Sequence, residues 1–194
     1  MNYTLKTPIL YLLLFVSTLF SFQQLVSQNY TLSKSSVLSV EGTSSLHDWE
    51  LNAEEQSGNL NVSNSEEFTI NKLDFSVKAE SLKSGKSAMD KKTFKALNTD
   101  KHKKITFLMS SVSQLEKISE SHFKATVKGK LTISGTTKSV SLSFNLKIDG
   151  DKIYLNGEKS LKMTDYGVEP PKALLGTIKT GDEIKIIFKS VFNK

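Results

Sequence analysis

The amino-acid sequence predicts an all-β domain, in which antiparallel strands form a sandwich or a barrel. Apolar and polar residues alternate along several segments after residue 30, and glycine-containing turns separate these segments. Alternation of this kind is typical of strands with one buried and one solvated face. The chain has no cysteine, so its stability must come from packing and not from disulfides. We expect a single domain of about eight to ten strands.

The clearest alternating segments are residues 73–79, 123–133, 140–148 and 184–188. The apolar side chains expected to face the interior and to contact a ligand there are Leu73, Phe75, Val77, Phe107, Val127, Leu142, Phe144, Leu146, Met163 and Phe188. Ile105, Leu131 and Ile186 belong to the same inward set. Two interpretations remain open at this point. These side chains either fill the domain completely, as small barrels allow, or line a hydrophobic tunnel.

Short turns connect the predicted strands. Asp149-Gly150 is typical of a two-residue hairpin loop, which needs a positive φ. Ser134-Gly135, the segment 180–182 and Gly58-Asn59 are interpreted as further turns, because glycine, serine, asparagine and aspartate favour them.

One or two short helices are predicted to interrupt the strands. Ser87 and Asp90 have the spacing of a capping box, so a helix is expected to begin at Ser87, with Met89 on its packed side. Phe94 and Leu97 would lie on that same side. Pro170-Pro171 exclude a central strand at that point, and a second helical turn is expected over residues 172–175.

Residues 1–27 have the layout of a secretory signal peptide. Lys6 provides a positive start, Ile9 to Phe20 are predominantly apolar, and Gln23-Gln24 end this run before it reaches the length of a membrane span. We expect cleavage near Ser27, a barrel or sandwich domain over residues 28–194, and a periplasmic or secreted bacterial protein. An uncleaved anchor is the alternative.

The charge pattern argues against a nucleic-acid partner. The net charge is +6, and all 26 basic residues are lysine. Arginine provides the forked donors that grip phosphate and guanine, so a nucleic-acid reader without arginine would be unusual. The lysines between Lys91 and Lys104 form a local cluster, which is either a solvated helix face or a site for an anionic lipid headgroup.

No set of residues in the sequence indicates an enzyme or a metal site. His47, His102 and His122 are far apart, and none has a partner at metal-ligand spacing. Carboxylates are scattered over the wet faces of the predicted strands, without an evident acid–base pair. His47 lies beside Trp49, the only tryptophan, where ordering a turn at the rim of the domain is its expected role.

Four segments resemble the YceI-like family of bacterial secreted proteins. They are GTSSLHDW (42–49), MDKKTFKALNTDKHKKITF (89–107), GKLTISGTTKSVSL (129–142) and LKMTDYGVEPPKALLGTIKTG (161–181). The resemblance favours a single antiparallel β-barrel of about eight strands with a lipocalin-like shape over a sandwich. It also implies a lipid or polyisoprenoid ligand, and no cofactor.

The function expected from this resemblance is that of an exported protein that sequesters or carries an amphiphilic lipid. Isoprenoid quinones, prenyl phosphates and fatty acid derivatives are the candidate ligands. The interior side chains would take the tail, while lysines, His47 or Tyr166 at the mouth would meet the head. Residues 166–176 are expected to gate the opening. The alternative is a ligand-free envelope or stress protein that acts through protein contacts, and a homodimer remains open.

Overall fold

The computed structural model describes residues 27–64, 67–173 and 176–194. Within these ranges the chain forms twelve strands and one α-helix. Their bounds are β1 (Ser27–Leu32), β2 (Val37–Ser44), β3 (Trp49–Ala53), β4 (Gln56–Asn64), β5 (Phe68–Lys78), β6 (Leu82–Lys83), α1 (Ser87–Leu97), β7 (Lys104–Ser119), β8 (His122–Ile133), β9 (Thr136–Asp149), β10 (Lys152–Lys162), β11 (Lys172–Ala173) and β12 (Ile178–Asn193). Residues 1–26 of the predicted signal peptide lie outside the described ranges.

The strands form a closed antiparallel barrel. The pairing order is β1–β4–β5–β7–β8–β9–β10–β12, and β12 returns to β1 through the pairs Thr31–Asn193 and Leu32–Phe192. β12 pairs with β1 at its C-terminal end and with β2 over the preceding residues, so β1 and β2 together occupy one strand position in the barrel. β4 pairs with β1 and β3 pairs with β2, so β3 and β4 together occupy the next position. The barrel therefore has eight strand positions, with the two-residue strands β6 and β11 attached to β3 and β12. The predicted barrel is confirmed, and the sandwich is excluded.

Two of the four predicted turns are hairpin loops. Ser134 and Gly135 connect β8 to β9 with φ values of 47° and 80°, the left-handed region that a two-residue hairpin requires. The β9–β10 loop consists of Gly150 and Asp151, one residue later than predicted, because Asp149 still pairs with Lys152.

The other two predicted turns are wrong. Gly58 lies inside β4, opposite Phe75, and Gly181 lies in β12 where the pairing with β2 shifts register. Both glycines accommodate close contacts within the sheet and do not reverse the chain.

One half of the barrel, which we call the filled half, is packed with side chains. Its buried interior residues are Tyr30, Leu60, Val62, Phe68, Ile70, Leu73, Phe123, Ala125, Val127, Phe144, Leu146, Ile153, Leu155 and Phe192. Phe68 stacks on Phe123 with ring centroids 4.4 Å apart. Burial of these side chains stabilises the fold through the hydrophobic effect.

Helix α1 lies over the other end of the barrel, but its start differs from the prediction. The N-cap residue is Lys86, and no side chain caps the helix. Instead, the Asp90 carboxylate accepts hydrogen bonds from the backbone N–H of Ser84 at 2.8 Å and from its hydroxyl at 2.7 Å. These bonds lower the pKa of Asp90. The predicted capping box is therefore wrong, since Asp90 holds the preceding turn and not the helix start.

The predicted second helical turn is also wrong where it is described. Lys172 and Ala173 form β11 and pair with β12, while residues 174 and 175 lie outside the described ranges. A 3-10 turn occurs earlier, at Thr164–Tyr166. Asp182 holds it by accepting hydrogen bonds from the Thr164 hydroxyl at 2.6 Å and from its N–H at 2.9 Å. These bonds lower the pKa of Asp182.

Candidate functional site

The half of the barrel beneath α1, which we call the open half, is hollow. Its cavity has a volume of about 430 Å³ and is lined by residues from all eight strand positions, together with α1. Nearly all of these side chains are apolar. Sites for small molecules in proteins have this character and volumes of about 300–1,000 Å³. Of the two interpretations of the sequence, the hydrophobic tunnel therefore applies to the open half, and the interior filled with side chains applies to the filled half.

Three phenylalanines mark the boundary between the two halves. Phe75, Phe107 and Phe188 line the cavity and also belong to, or pack against, the core of the filled half. The rings of Phe107 and Phe188 lie against Gly129 and Gly157, in the space where a Cβ atom would otherwise project. Glycine in these strands therefore lets the rings lie close to the barrel wall.

Helix α1 forms one side of the cavity mouth. Met89 and Leu97, which were predicted to lie on the packed side of the helix, line the cavity together with Thr93 and Ala96 between them. Phe94 does not line it, because its ring lies beneath the ammonium group of Lys83, 4.5 Å from the ring centroid.

The loop after β2 and the segment before β11 form the rest of the mouth. Leu46 is 66 % exposed and lines the cavity together with His47. Across from them, the Lys92 ammonium of α1 donates a hydrogen bond of 3.2 Å to the backbone oxygen of Lys172. This bond links the helix to β11 across the opening.

His47 is placed at the mouth by a hydrogen-bonded turn. The Ser44 hydroxyl donates to the His47 backbone oxygen at 2.7 Å and accepts from the His47 N–H at 3.2 Å. Nδ1 of His47 lies 2.7 Å from the backbone oxygen of Asp48. In the described part of the chain, no three histidine or carboxylate residues are grouped as a metal site would require.

Tyr166 lies in the 3-10 turn and lines the cavity, with only 2 % of its surface exposed. Burial raises the pKa of its hydroxyl, and the nearby Asp165 carboxylate raises it further. The hydroxyl is therefore protonated at neutral pH and is available as a donor.

The interior residues named from the sequence divide between the two halves of the barrel. Those that line the cavity are Phe75, Val77, Phe107, Leu142, Met163 and Phe188, with Ile105, Leu131 and Ile186 of the wider inward set. Leu73, Val127, Phe144 and Leu146 lie instead in the packed core of the filled half. His47 and Tyr166 line the cavity. Contact of the lining residues with a ligand stays a prediction.

Sequence reasoning missed several polar cavity residues, and Lys159 is the half-buried lysine among them. Lys159 of β10 is half-buried and lines the cavity. It follows Ile153, Leu155 and Gly157 on the inward face of the strand, so the period of two that marks a strand would have placed it inside. The strand 152–162 was not recognised in the sequence, and this lysine was therefore overlooked.

Solved structures with the same fold are similar to this chain over most of its length. BcnA from Burkholderia cenocepacia has a TM-score of 0.64 and 17 % identity, covering 80 % of this chain and 95 % of BcnA. A polyisoprenoid binding domain from Saccharophagus degradans has a TM-score of 0.65 and 13 % identity, covering 84 % and 97 %. The YceI protein of Campylobacter jejuni has a TM-score of 0.51 and 21 % identity, covering 65 % and 74 %.

The family relationship rests on the sequence itself. Among curated proteins, none matches the chain significantly. A model of the YceI-like domain, however, matches residues 29–192, which span the whole barrel from β1 to the end of β12. This chain belongs to the YceI-like family.

Proposed function

We propose that this protein binds an amphiphilic lipid, with an isoprenoid or acyl chain, in the open half of its barrel. The observation that carries this proposal is the apolar cavity of about 430 Å³ beneath α1. Each buried methylene contributes about 0.8 kcal/mol, whereas association costs about 4–15 kcal/mol, so a long chain is required. The similar domain from S. degradans is itself described as polyisoprenoid binding, which supports the same ligand class.

Binding is passive in this proposal, and the protein is not an enzyme. The tail lies among the apolar walls, and an isoprenoid quinone, a prenyl phosphate or a fatty acid derivative fits this requirement. His47 at the mouth and Tyr166, with its protonated hydroxyl, in the cavity wall are the predicted polar contacts for the head. Within the described ranges, no helix has the length and apolarity to cross a membrane.

The proposed setting is outside the cytoplasm, where the protein sequesters or carries its ligand between aqueous and membrane compartments. The predicted signal peptide over residues 1–27 supports export. A lipid carried through water must have its apolar tail shielded, and in this proposal the barrel wall shields the sides of the tail while the filled half closes the far end.

A pair of adjacent tryptophan variants tests the proposal. Val140 of β9 lines the cavity, while Ser139 next to it is exposed on the outer face. We expect the wild-type protein and Ser139→Trp to take up geranylgeraniol or a long-tailed quinone, observed as an added mass in native mass spectrometry. Val140→Trp fills the cavity and should take up neither. If the wild-type protein takes up neither compound, the proposal is wrong and a protein partner is the alternative.

A further inference from the structure

β9 and β10 separate within the open half of the barrel. They pair from Asp149–Lys152 to Phe144–Gly157, and the ladder stops there. Beyond this point β10 continues to Lys162 paired only with β12, while β9 continues back to Thr136 paired only with β8. The 3-10 turn that follows β10 contacts both strands. The cavity wall is therefore interrupted between these two strands.

Lys159 is the second residue of β10 beyond the last pair with β9. Its partner on the other side is Ile186 of β12, an apolar cavity residue, and its inward neighbour along β10 is Leu161. Lys86, Lys92 and Lys172 also line the cavity, but they are exposed at the mouth. Among the described lysines that line the cavity, Lys159 is thus the one that is half-buried, whereas the others are exposed.

Neither the Lys159 ammonium nor the Tyr166 hydroxyl has a side-chain partner among the described residues, and both residues line the same cavity. Lys159 makes no ion pair or side-chain hydrogen bond there, whereas Lys138 outside the cavity pairs with Asp165 at 3.2 Å and Lys172 at the mouth pairs with Glu169 at 3.8 Å. The Tyr166 hydroxyl makes no hydrogen bond in these ranges, and it is not enclosed by protein atoms, so it is open to a ligand in the cavity. An ammonium group in apolar surroundings is costly unless an anion compensates it.

We infer that Lys159 and Tyr166 form an anion subsite inside the cavity, which selects a lipid with an acidic headgroup, a carboxylate or a phosphate. The inference rests on the proposed lipid function and specifies its ligand class. An anionic head at the split between β9 and β10 accepts a charge-assisted hydrogen bond from the Lys159 ammonium and a second from the Tyr166 hydroxyl. The tail extends along the apolar walls toward α1. Because the tail displaces water from the cavity, the attraction between head and ammonium is stronger than at the surface.

The test compares three ligands with the same chain and different heads: dodecanoate, dodecyl phosphate and dodecanol. Their dissociation constants are measured by titration calorimetry at pH 8 and below the concentration at which they form micelles. We expect the wild-type protein to bind at least one of the two anions about tenfold or more tightly than the alcohol. The stronger of the two anions distinguishes a fatty acid site from a phosphate site.

Variants of Lys159 assign this preference to the subsite. Lys159→Met retains the shape of the side chain and should abolish the preference for the anion while leaving dodecanol binding unchanged. Lys159→Arg keeps the charge and should retain the preference. Lys162→Met, on the same strand but exposed, removes the same charge outside the cavity and should behave as the wild type. Tyr166→Phe should weaken anion binding by a smaller factor than Lys159→Met.

The outcomes separate this inference from the proposed function. If the wild-type protein and Lys159→Met bind dodecanol and the anions alike, the anion subsite is wrong and the lipid site stands. If neither protein binds any of the three chains, the lipid function fails and the subsite with it. Binding of dodecanol by Lys159→Met also shows that this variant is folded.

Discussion

The ring of Phe107 on β7 lies against Gly129 on β8, in the space that a Cβ atom at position 129 would need. The backbone oxygen of Leu108 lies 2.7 Å from the same point, so the site is enclosed by both a ring and the main chain. Phe107 therefore holds its position at the boundary of the cavity because the neighbouring strand has no side chain there.

Gly129→Ala should destabilise the protein by about 1–3 kcal/mol, because the added methyl group forces the ring of Phe107 out of its position. The free energy of unfolding is measured by urea denaturation monitored by circular dichroism. The controls are Phe107→Leu and the double variant Gly129→Ala/Phe107→Leu. We expect the cost of Gly129→Ala to be smaller in the Phe107→Leu background, since the clash with the ring is then relieved while that with the Leu108 backbone remains. Equal costs in both backgrounds would contradict the contact.

Truncating a leucine should cost more in the filled half than in the open half. Leu155 and Leu161 share β10 and its inward face, but Leu155 is fully buried in the core whereas Leu161 lines the cavity. Leu155→Ala should lower the free energy of unfolding by about 2–5 kcal/mol, because it leaves a new void in close packing. Leu161→Ala only enlarges an existing space and should cost clearly less. Thermal denaturation of both variants under one condition provides the comparison.

Asp90 should make stability depend on pH in the acidic range. The Ser84 hydrogen bonds lower the pKa of the folded-state carboxyl, so their contribution is fully present above the ordinary value of about 3.9. It is lost progressively as the pH falls from there through the folded-state pKa. Asp90→Asn should therefore be less stable than the wild type at pH 7, and this difference should shrink as the pH falls below about 4. Urea denaturation at pH 7, 5 and 3 measures it, and a constant difference would rule out this role.

Release of the bond between Lys92 and the Lys172 backbone should speed ligand exchange. Lys92→Met removes the link between α1 and β11 and should raise the dissociation rate of a bound lipid by about two- to tenfold, the equivalent of about 0.5–1.5 kcal/mol. Stopped-flow displacement of a fluorescent fatty alcohol measures this rate. Lys91→Met is the matched control, since Lys91 is exposed on the same helix and does not line the cavity. Equal dissociation rates in both variants would show that this hydrogen bond does not control ligand exchange. Residues 166–176 would then gate the opening in another way or not at all.

The alternation predicted the strands well because this signal is local, whereas the resemblance to the YceI-like family favoured a barrel over a sandwich. Alternation along residues 123–133 and 140–148 identified β8 and β9, and the Ser134-Gly135 loop joined them correctly. The helix was also located, but its cap was not. Ser84 and Ser87 are both hydroxyl residues near Asp90, and only the folded turn decides which of them forms the hydrogen bond.

The division of the interior into a filled and an open half was not visible in the sequence. Leu142 and Leu146 are the same residue type on the same face of β9, yet Leu142 lines the cavity and Leu146 is fully buried. The difference arises from distant partners, since Leu146 pairs with Phe123 and Leu155 while Leu142 lies beyond the last pair with β10. Contacts between residues so far apart in the sequence leave no trace in the alternation of apolar and polar residues along a strand.

If the proposed function holds, the three phenylalanines at the boundary also limit the length of the bound chain. A chain that enters beneath α1 is then expected to stop at Phe75, Phe107 and Phe188. Phe107 and Phe188 are themselves buried in the core, so a smaller residue at either position would deepen the cavity and also lower the free energy of unfolding. Capacity for a longer chain and stability of the barrel are therefore coupled through the same two rings.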